Sequence, residues 1–187
     1  MTEPAPPALA TERLILRRWR DSDREPFARL NADPEVMRYF LRPLTREESD
    51  AFIDRIETRF GERGYGLWAV ERTEDGVFLG FTGLAHQAFE AHFTPCVEVG
   101  WRFDRFAWGH GYATEAAREA LRFGFGEVGL DEIVSFTALS NAPSIRIMER
   151  IGLHRDPRDD FDYPNMPEGH PLRRHLLYRL KREEYKP

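Results

Sequence analysis

The segment Trp108–Glu115 reads WGHGYATE, two glycines flanking a histidine directly ahead of an alanine-rich stretch. Glycine reaches backbone conformations closed to other residues and lets a ligand come close to the main chain. Where such a turn opens a helix, the first N–H groups have no helical partner, and the positive end of the helix dipole points the same way. That combination binds phosphate or pyrophosphate. Two familiar phosphate patterns fail here. A dinucleotide fingerprint requires a third glycine three residues on, where Thr114 stands. Its ribose-binding acid closes the following strand, whereas Asp131 precedes one. A Walker-type loop needs Gly-Lys-Ser/Thr, which does not follow. The anion site is of another kind.

The elements that must position this turn are legible from periodicity and punctuation. Glu12–Trp19 reads as a first strand. Ser22–Glu25 has the form of a capping box and opens a helix to about Asn31. Asp33–Pro34 starts a short helical turn toward Arg38. Thr45–Glu48 is a second capping box, followed by Phe52, Ile53, Ile56 and Phe60 at helical spacing as far as Gly61. Tyr65–Glu71 and Val77–Leu84 are β-rich runs joined by turn residues around Glu74–Asp75–Gly76. Val97–Phe103 is another strand, whose interior Gly100 signals a bulge or a close backbone approach. A long helix over Tyr112–Val128 follows, with Ala113, Ala116, Ala117, Ala120 and Gly124 small enough to press it against a sheet. Then come a strand at Glu132–Leu139, a helix capped near Asn141 and closed at Gly152, and a last strand at Leu176–Leu180. This order predicts an α+β fold, a mixed sheet with helices on both faces. The whole chain, residues 1–187, is read as one domain, with the proline-rich first ten residues set apart as a flexible arm.

The stretch Val97–Leu153 resembles the core of the GNAT acetyltransferase superfamily, nearest to its ribosomal-protein-alanine N-acetyltransferase branch. The superfamily's pyrophosphate loop runs Gln or Arg, two residues, Gly, one residue, then Gly or Ala. Phe106–Gly111 is similar to it, with Phe106 in the first place, and WGHGYATEA is close to the branch's form. Asn141–Leu153 resembles the second cofactor segment, and Glu12–Arg17 the branch's start. The resemblance implies a mixed, mostly antiparallel sheet and acetyl-CoA as co-substrate. It implies pyrophosphate on the amides of Trp108, Gly109, His110, Gly111, Tyr112, Ala113 and Thr114. The pantetheine arm is then expected along Val99, Gly100, Trp101 and Phe103, with Asn141 and Ser144 contacting it from the last helix. The implied reaction is direct transfer of acetyl to a primary amine, on a protein N-terminus or a small molecule, within a ternary complex.

Such transfer needs a base for the ammonium, polarisation of the thioester carbonyl and an exit for the thiolate. Glu98 is the first candidate base, since burial raises a carboxylate toward neutral pH. His86, His92, His110 and His170 are rivals because imidazole titrates there unaided. Backbone N–H groups along Val97–Phe103 are expected to hold the oxyanion. Many superfamily members place a tyrosine seven residues after the asparagine to protonate the thiolate, and here that residue is Met148. Ser144 is the substitute expected. The same departure keeps a second reading open, a catalytically degenerate acyl-CoA-binding sensor or interaction module.

The bulk composition narrows the partners. With 27 basic against 32 acidic residues the net charge is −5, so non-specific attraction to nucleic acid or anionic membrane is not expected. A local basic patch at Arg173 and Arg174 remains. The single cysteine, Cys96, leaves no disulfide or multi-cysteine metal site and suits a reducing cytoplasm. No signal peptide or membrane span is expected. The acids of Asp156–Glu168 either attract a cationic acceptor or are simply solvated, the commoner use of such a loop. The acceptor's identity and the oligomeric state, a homodimer included, stay open.

Overall fold

The computed structural model describes residues 8–186, so most of the proline-rich arm expected from the sequence lies outside it. The strands are β1 (Leu9–Ala10), β2 (Leu14–Arg17), β3 (Leu67–Arg72), β4 (Phe78–Gln87), β5 (Cys96–Phe103), β6 (Glu132–Ala138), β7 (His154–Arg155), β8 (Phe161–Asp162) and β9 (Arg174–Lys181). The helices are α1 (Arg24–Ala32), α2 (Arg46–Arg63), α3 (Tyr112–Phe123) and α4 (Ala142–Arg150). One sheet runs β1-β2-β3-β4-β5-β6-β9-β7, with β8 also on β9. Its pairings are antiparallel except β5 with β6, which are parallel. The fold is α+β with a mixed, mostly antiparallel sheet, as expected.

Local chemistry explains most element ends. Thr45 Oγ1 accepts from Glu48 N (3.2 Å), and the Glu48 carboxylate accepts from Thr45 N (2.9 Å), the reciprocal cap read from the sequence. The helix it opens does not stop at Gly61 but continues to Arg63, ahead of Gly64. The first ten residues are not all arm. Ala10 and Leu9 pair with Ile15 and Leu16, and Leu9 is buried.

The helix expected from Ser22 begins instead at Arg24, after a 3-10 turn over Asp21–Asp23. The reason is long-range. Asp23 turns inward and accepts from Arg17 Nη1 (2.7 Å) and Nη2 (2.9 Å) and from the Arg20 backbone N–H (2.8 Å). Arg17 Nε also donates to Glu71 (2.7 Å). A bidentate guanidinium–carboxylate pair thereby fastens β2 to the start of α1 and to β3.

The alanine-rich helix packs as its composition demands. Ala116, Ala117 and Ala120 are fully buried. At Gly124 an added Cβ would stand 2.7 Å from Ile133 Cδ1 and 3.0 Å from Leu84 Cδ1. The helix was expected to be continuous to Val128. Instead α3 ends at Phe123 and residues 124–128 wind as a wider π-turn. The core beneath it includes Leu14, Leu16, Phe27, Trp68, Leu79 and Leu121.

Because Arg17 and Asp23 are nearly inaccessible, removing Asp23 breaks a buried pair and leaves the guanidinium with Glu71 alone as its counter-charge. Asp23→Ala is expected to lower unfolding free energy by about 3–5 kcal/mol. Asp21→Ala, which removes a fully exposed carboxylate 3.4 Å from the partly buried Arg24, should leave it nearly unchanged. Urea unfolding distinguishes them; equal losses would contradict the assignment.

Candidate active site

β5 and β6 are in register at one pair, Glu98 with Val134. Beyond it their carboxyl halves part. On its other side β5 is laddered to β4 along its whole length, Cys96 to Phe103. Asp104 N donates to Leu79 O on that side (2.9 Å), and Gly100 O accepts from Thr82 Oγ1 (3.0 Å). Strand alternation then aims the N–H and C=O of Val99, Trp101 and Phe103 toward the gap. Trp108 Nε1 donates to Phe103 O at 2.9 Å from that direction. Gly100 forms no bulge: its register with Gly83 is continuous with its neighbours', and the irregularity lies at Val70/Glu71 instead.

The gap opens into a cleft of about 730 Å³. Because the strands part, residues from both faces of β5 line it: Glu98, Gly100 and Arg102 from one, Trp101 and Phe103 from the other. The glycine turn closes one end. Gly109 and Gly111 have φ of 79° and 81°, the left-handed region that favours glycine. Gly111 is the N-cap of α3 and offers no side chain, so the first amides of that helix are not covered by a cap. Trp108, Gly109, Gly111, Tyr112, Ala113 and Thr114 line the cleft. The exposed Phe106 does not, although it holds the first place of the loop pattern.

The turn is clamped from outside. Arg13 donates from Nε to Glu115 (2.7 Å) and from Nη1 to His110 O (3.0 Å), with its guanidinium 4.8 Å from the Tyr112 ring centre. Thr11 Oγ1 also donates to Glu115 (2.5 Å). Partial burial works to raise the Glu115 carboxyl, but the Thr11 and Arg13 hydrogen bonds outweigh it and hold the group below its ordinary range.

The second helix N-terminus reaches the cleft from the far side. Asn141 Oδ1 accepts from Ser144 N (3.3 Å) as an N-cap. Its Nδ2 donates to Thr137 Oγ1 (2.8 Å) and Ser144 Oγ (3.1 Å). Asn141 and Ser144 both line the cleft, as does the almost fully buried Met148.

Glu98 is set among these groups with Gln87 Nε2 donating to its Oε2 (2.5 Å). Its side chain is half-buried by surface yet crowded by protein atoms on nearly every side. Desolvation pushes its pKa up to about 8, against the smaller opposing effect of the Gln87 hydrogen bond. Cys96, one alternation away, is raised to about 12 by burial first and Glu98 second, which leaves an unreactive thiol.

Not every candidate comes together. The Val99 side chain belongs to the core, so only its backbone faces the gap. His110 is exposed, its ring stacked on Tyr112, and does not line the cleft. His86, His92 and His170 do not line it either. His92 lies 3.6 Å from Asp159, and His170 Nδ1 accepts from Leu172 N (3.1 Å). The histidine that does line it is His175, nine-tenths buried on β9, whose imidazole pKa burial lowers. Nothing local in RHLLYRL singles it out. Tyr163, beside His175 at 4.9 Å between ring centres, also reaches the cleft.

The acidic loop is engaged within the chain. Asp156 pairs with Arg158, Asp160 with Arg155, Asp159 with Arg179 and Asp162 with Arg174. That last pair also occupies the expected basic patch. Among the described residues, no helix is long and apolar enough to cross a membrane.

The Acetyltransferase (GNAT) domain profile matches residues 13–154. The chain is 36% identical over 149 residues to the uncharacterised protein YkkB of Bacillus subtilis, covering 78% of this chain and 84% of that one. It is 33% identical to an FsC-acetyl coenzyme A-N(2)-transacetylase of Aspergillus fumigatus, over 99% of this chain and 80% of the relative. A GNAT-family acetyltransferase structure from Bacillus anthracis superposes with a TM-score of 0.78 at 27% identity, covering 95% of this chain and all of that one. On the domain match over residues 13–154 and these relatives, the chain belongs to the GNAT acetyltransferases and is an acyltransferase enzyme.

Proposed function

We propose that this protein transfers acetyl from acetyl-CoA directly to a primary amine inside the cleft between β5 and β6. The observation that carries the reading is the parting of the two strands beside the uncapped N-terminus of α3. An extended pantetheine can complete the open β5 edge as a strand does, through the C=O of Val99, the N–H and C=O of Trp101 and the N–H of Phe103. Its pyrophosphate then meets the amides following Gly109 and Gly111, where partial positive charge is concentrated. Asn141 and Ser144 flank the arm from α4.

In this arrangement Glu98 takes the proton of the acceptor ammonium, directly or through a water. The freed amine attacks the thioester carbonyl, and backbone N–H groups on the parted edge of β5 stabilise the oxyanion. Such donors are worth roughly 3–4 kcal/mol when they meet the developing charge. Collapse of the tetrahedral adduct expels the CoA thiolate. Ser144 is the proton donor proposed for it: its Oγ already accepts from Asn141 Nδ2, which leaves its own hydrogen free to donate. A thiolate whose conjugate thiol has a pKa of about 8.5 can also depart without help.

The amides at the glycine turn make a binding prediction. Gly109→Val and Gly111→Val force a β-branched residue to a positive φ, at a cost of roughly 1–3 kcal/mol. An added Cβ at Gly109 enters open space, with no protein atom within 4 Å, whereas at Gly111 it turns toward Arg13 Nη2 at 3.6 Å, so there the strained turn itself carries the effect. Acetyl-CoA Kd, measured by calorimetry, is expected to rise at least about tenfold in each variant, with circular dichroism unchanged. Wild-type affinity in both would contradict the phosphate assignment.

Glu98 makes a kinetic one. With its pKa near 8, the basic form gains population as pH rises through that value. The rate should climb across pH 7–9, and Glu98→Gln should lose that limb and about 10²-fold in kcat/KM at pH 8. The stability effect has the opposite sign. The folded state holds this proton more tightly than the unfolded chain, so wild-type stability falls between about pH 4.5 and 8. Glu98→Gln should therefore be the more stable protein at pH 9. An unchanged rate profile would remove Glu98 as the base.

A further inference from the structure

Arg102 stands on the same face of β5 as Glu98, with Gly100 between them, and lines the cleft. It is nine-tenths buried. Among the described residues no carboxylate lies within ion-pair distance of it. Its Nη1 donates to Asn31 Oδ1 (2.6 Å), a neutral amide, and its enclosed Nε finds no acceptor. Asn31 is itself fixed, because its Nδ2 donates to the buried Ser49 Oγ (2.9 Å). The guanidinium also lies 4.1 Å from the Phe40 ring centre and 5.4 Å from that of Phe81. The cation is held in place by neutral partners and has no counter-charge.

Buried charges in folded proteins are normally paired. This chain follows that rule at Arg17, equally buried, which takes both Asp23 and Glu71. At Arg102 burial alone lowers the pKa to about 9, which still leaves the group charged at neutral pH. The rest of the cleft has the same sign. Although the chain carries a net −5, the ionic groups lining the cleft are Arg38, Arg59, Arg102, Arg146 and Arg150 against Glu35 and Glu98 alone.

We propose that the acceptor is an amine that also carries an oxyanion, a carboxylate or a phosphate monoester, and that Arg102 binds that oxyanion while the amine lies beside Glu98. The guanidinium can meet either anion by a charge-assisted hydrogen bond from its Nη side, since Nε is enclosed and Nη1 is already engaged with Asn31. Four residues of strand separate the two Cα atoms by roughly 13 Å. Glu98 leans over Gly100, its Oε1 3.9 Å from where a Cβ there would be. The amine and the acid of the acceptor are thus several bonds apart, not on one carbon as in a simple α-amino acid. This proposal rests on the acyl-transfer reading of the cleft.

The test is steady-state acetylation by the full chain saturated with acetyl-CoA. The acceptors are ω-amino acids of graded length, alkylamines of the same lengths and the corresponding aminoalkyl phosphates. In the wild type, kcat/KM for the best anionic acceptor is expected to exceed that of its neutral counterpart at least tenfold, and the carboxylate and phosphate arms identify which anion is preferred. Arg102→Met should reduce that ratio at least tenfold, and Arg102→Lys should reduce it less. A structural prop for Phe40 and Asn31 would lower both acceptors alike and leave the ratio unchanged. Equal use of anionic and neutral amines by the wild type, or an unaltered ratio in Arg102→Met, overturns the proposal. Should Arg102→Met fail to fold, the wild type decides: hexanoate must inhibit acetylation of a neutral amine better than hexanamide does, and equal inhibition overturns the proposal. Failure of the transfer reading looks different, as no CoA release with any amine. Calorimetric binding of 6-aminohexanoate to the acetyl-CoA complex, weakened in Arg102→Lys and lost in Arg102→Met, then tests the anion site by itself, and unchanged binding in Arg102→Met overturns it.

Discussion

A parallel strand pair that separates after one register position leaves main-chain donors and acceptors without partners in the middle of a sheet. β5 and β6 do this beyond Glu98 and Val134. Buried backbone groups are rarely left unpaired, so the edge has to be completed by water or by a ligand that can hydrogen-bond like a strand. The separation also decides what surrounds the opening. The chain leaving β5 turns through Gly109 and Gly111 into α3, and the chain leaving β6 turns through Asn141 into α4. Two helix N-termini therefore converge on the place where the sheet is incomplete. Small residues on α3 and the Arg13–Glu115 clasp keep the first of them against the sheet.

The distribution of charge follows the same division between scaffold and cleft. Away from the opening, arginines and acids are matched: Arg17 with Asp23 and Glu71, Arg18 with Glu57, Arg179 with Asp159 and Glu132. On the cleft face of β5 they are not. Glu98 has only an amide donor and Arg102 only an amide acceptor. Each would be better solvated outside the protein, and their retention in this form is the kind of local disadvantage that functional sites carry. Gly100, between them, contributes space rather than a kink. A side chain there would fill the volume over which the two groups face a ligand.

Features written into adjacent residues were legible in the sequence. The Thr45–Glu48 cap, the hairpin around Asp75–Gly76, the glycine turn and the Asn141 cap all depend on neighbours within a few positions. What escaped depends on contacts between distant segments. Asp23 looked like part of a helix cap but is drawn away by Arg17, which delays α1 by two residues. Gly61 looked like a stop, yet helix interiors tolerate a single glycine, and the terminating residue is Gly64. Leu9 and Ala10 became a strand because β2 offered an edge. His175 sits in an ordinary strand pattern, and only the placement of β9 beside β6 brings it to the cleft. Arg102 has no local signature: its isolation is a property of α1, α2 and the Phe40 segment closing over it.

Cofactor binding here requires the parted edge of β5 and the glycine turn to form one continuous slot. Amide hydrogen exchange of the full chain with and without CoA tests this directly. CoA is expected to slow exchange at Trp101 and Phe103 and at the amides of residues 109–114, while amides of β4, already paired within the sheet, stay as they were. Protection confined to other segments, or none at the β5 edge despite saturating CoA, would contradict it.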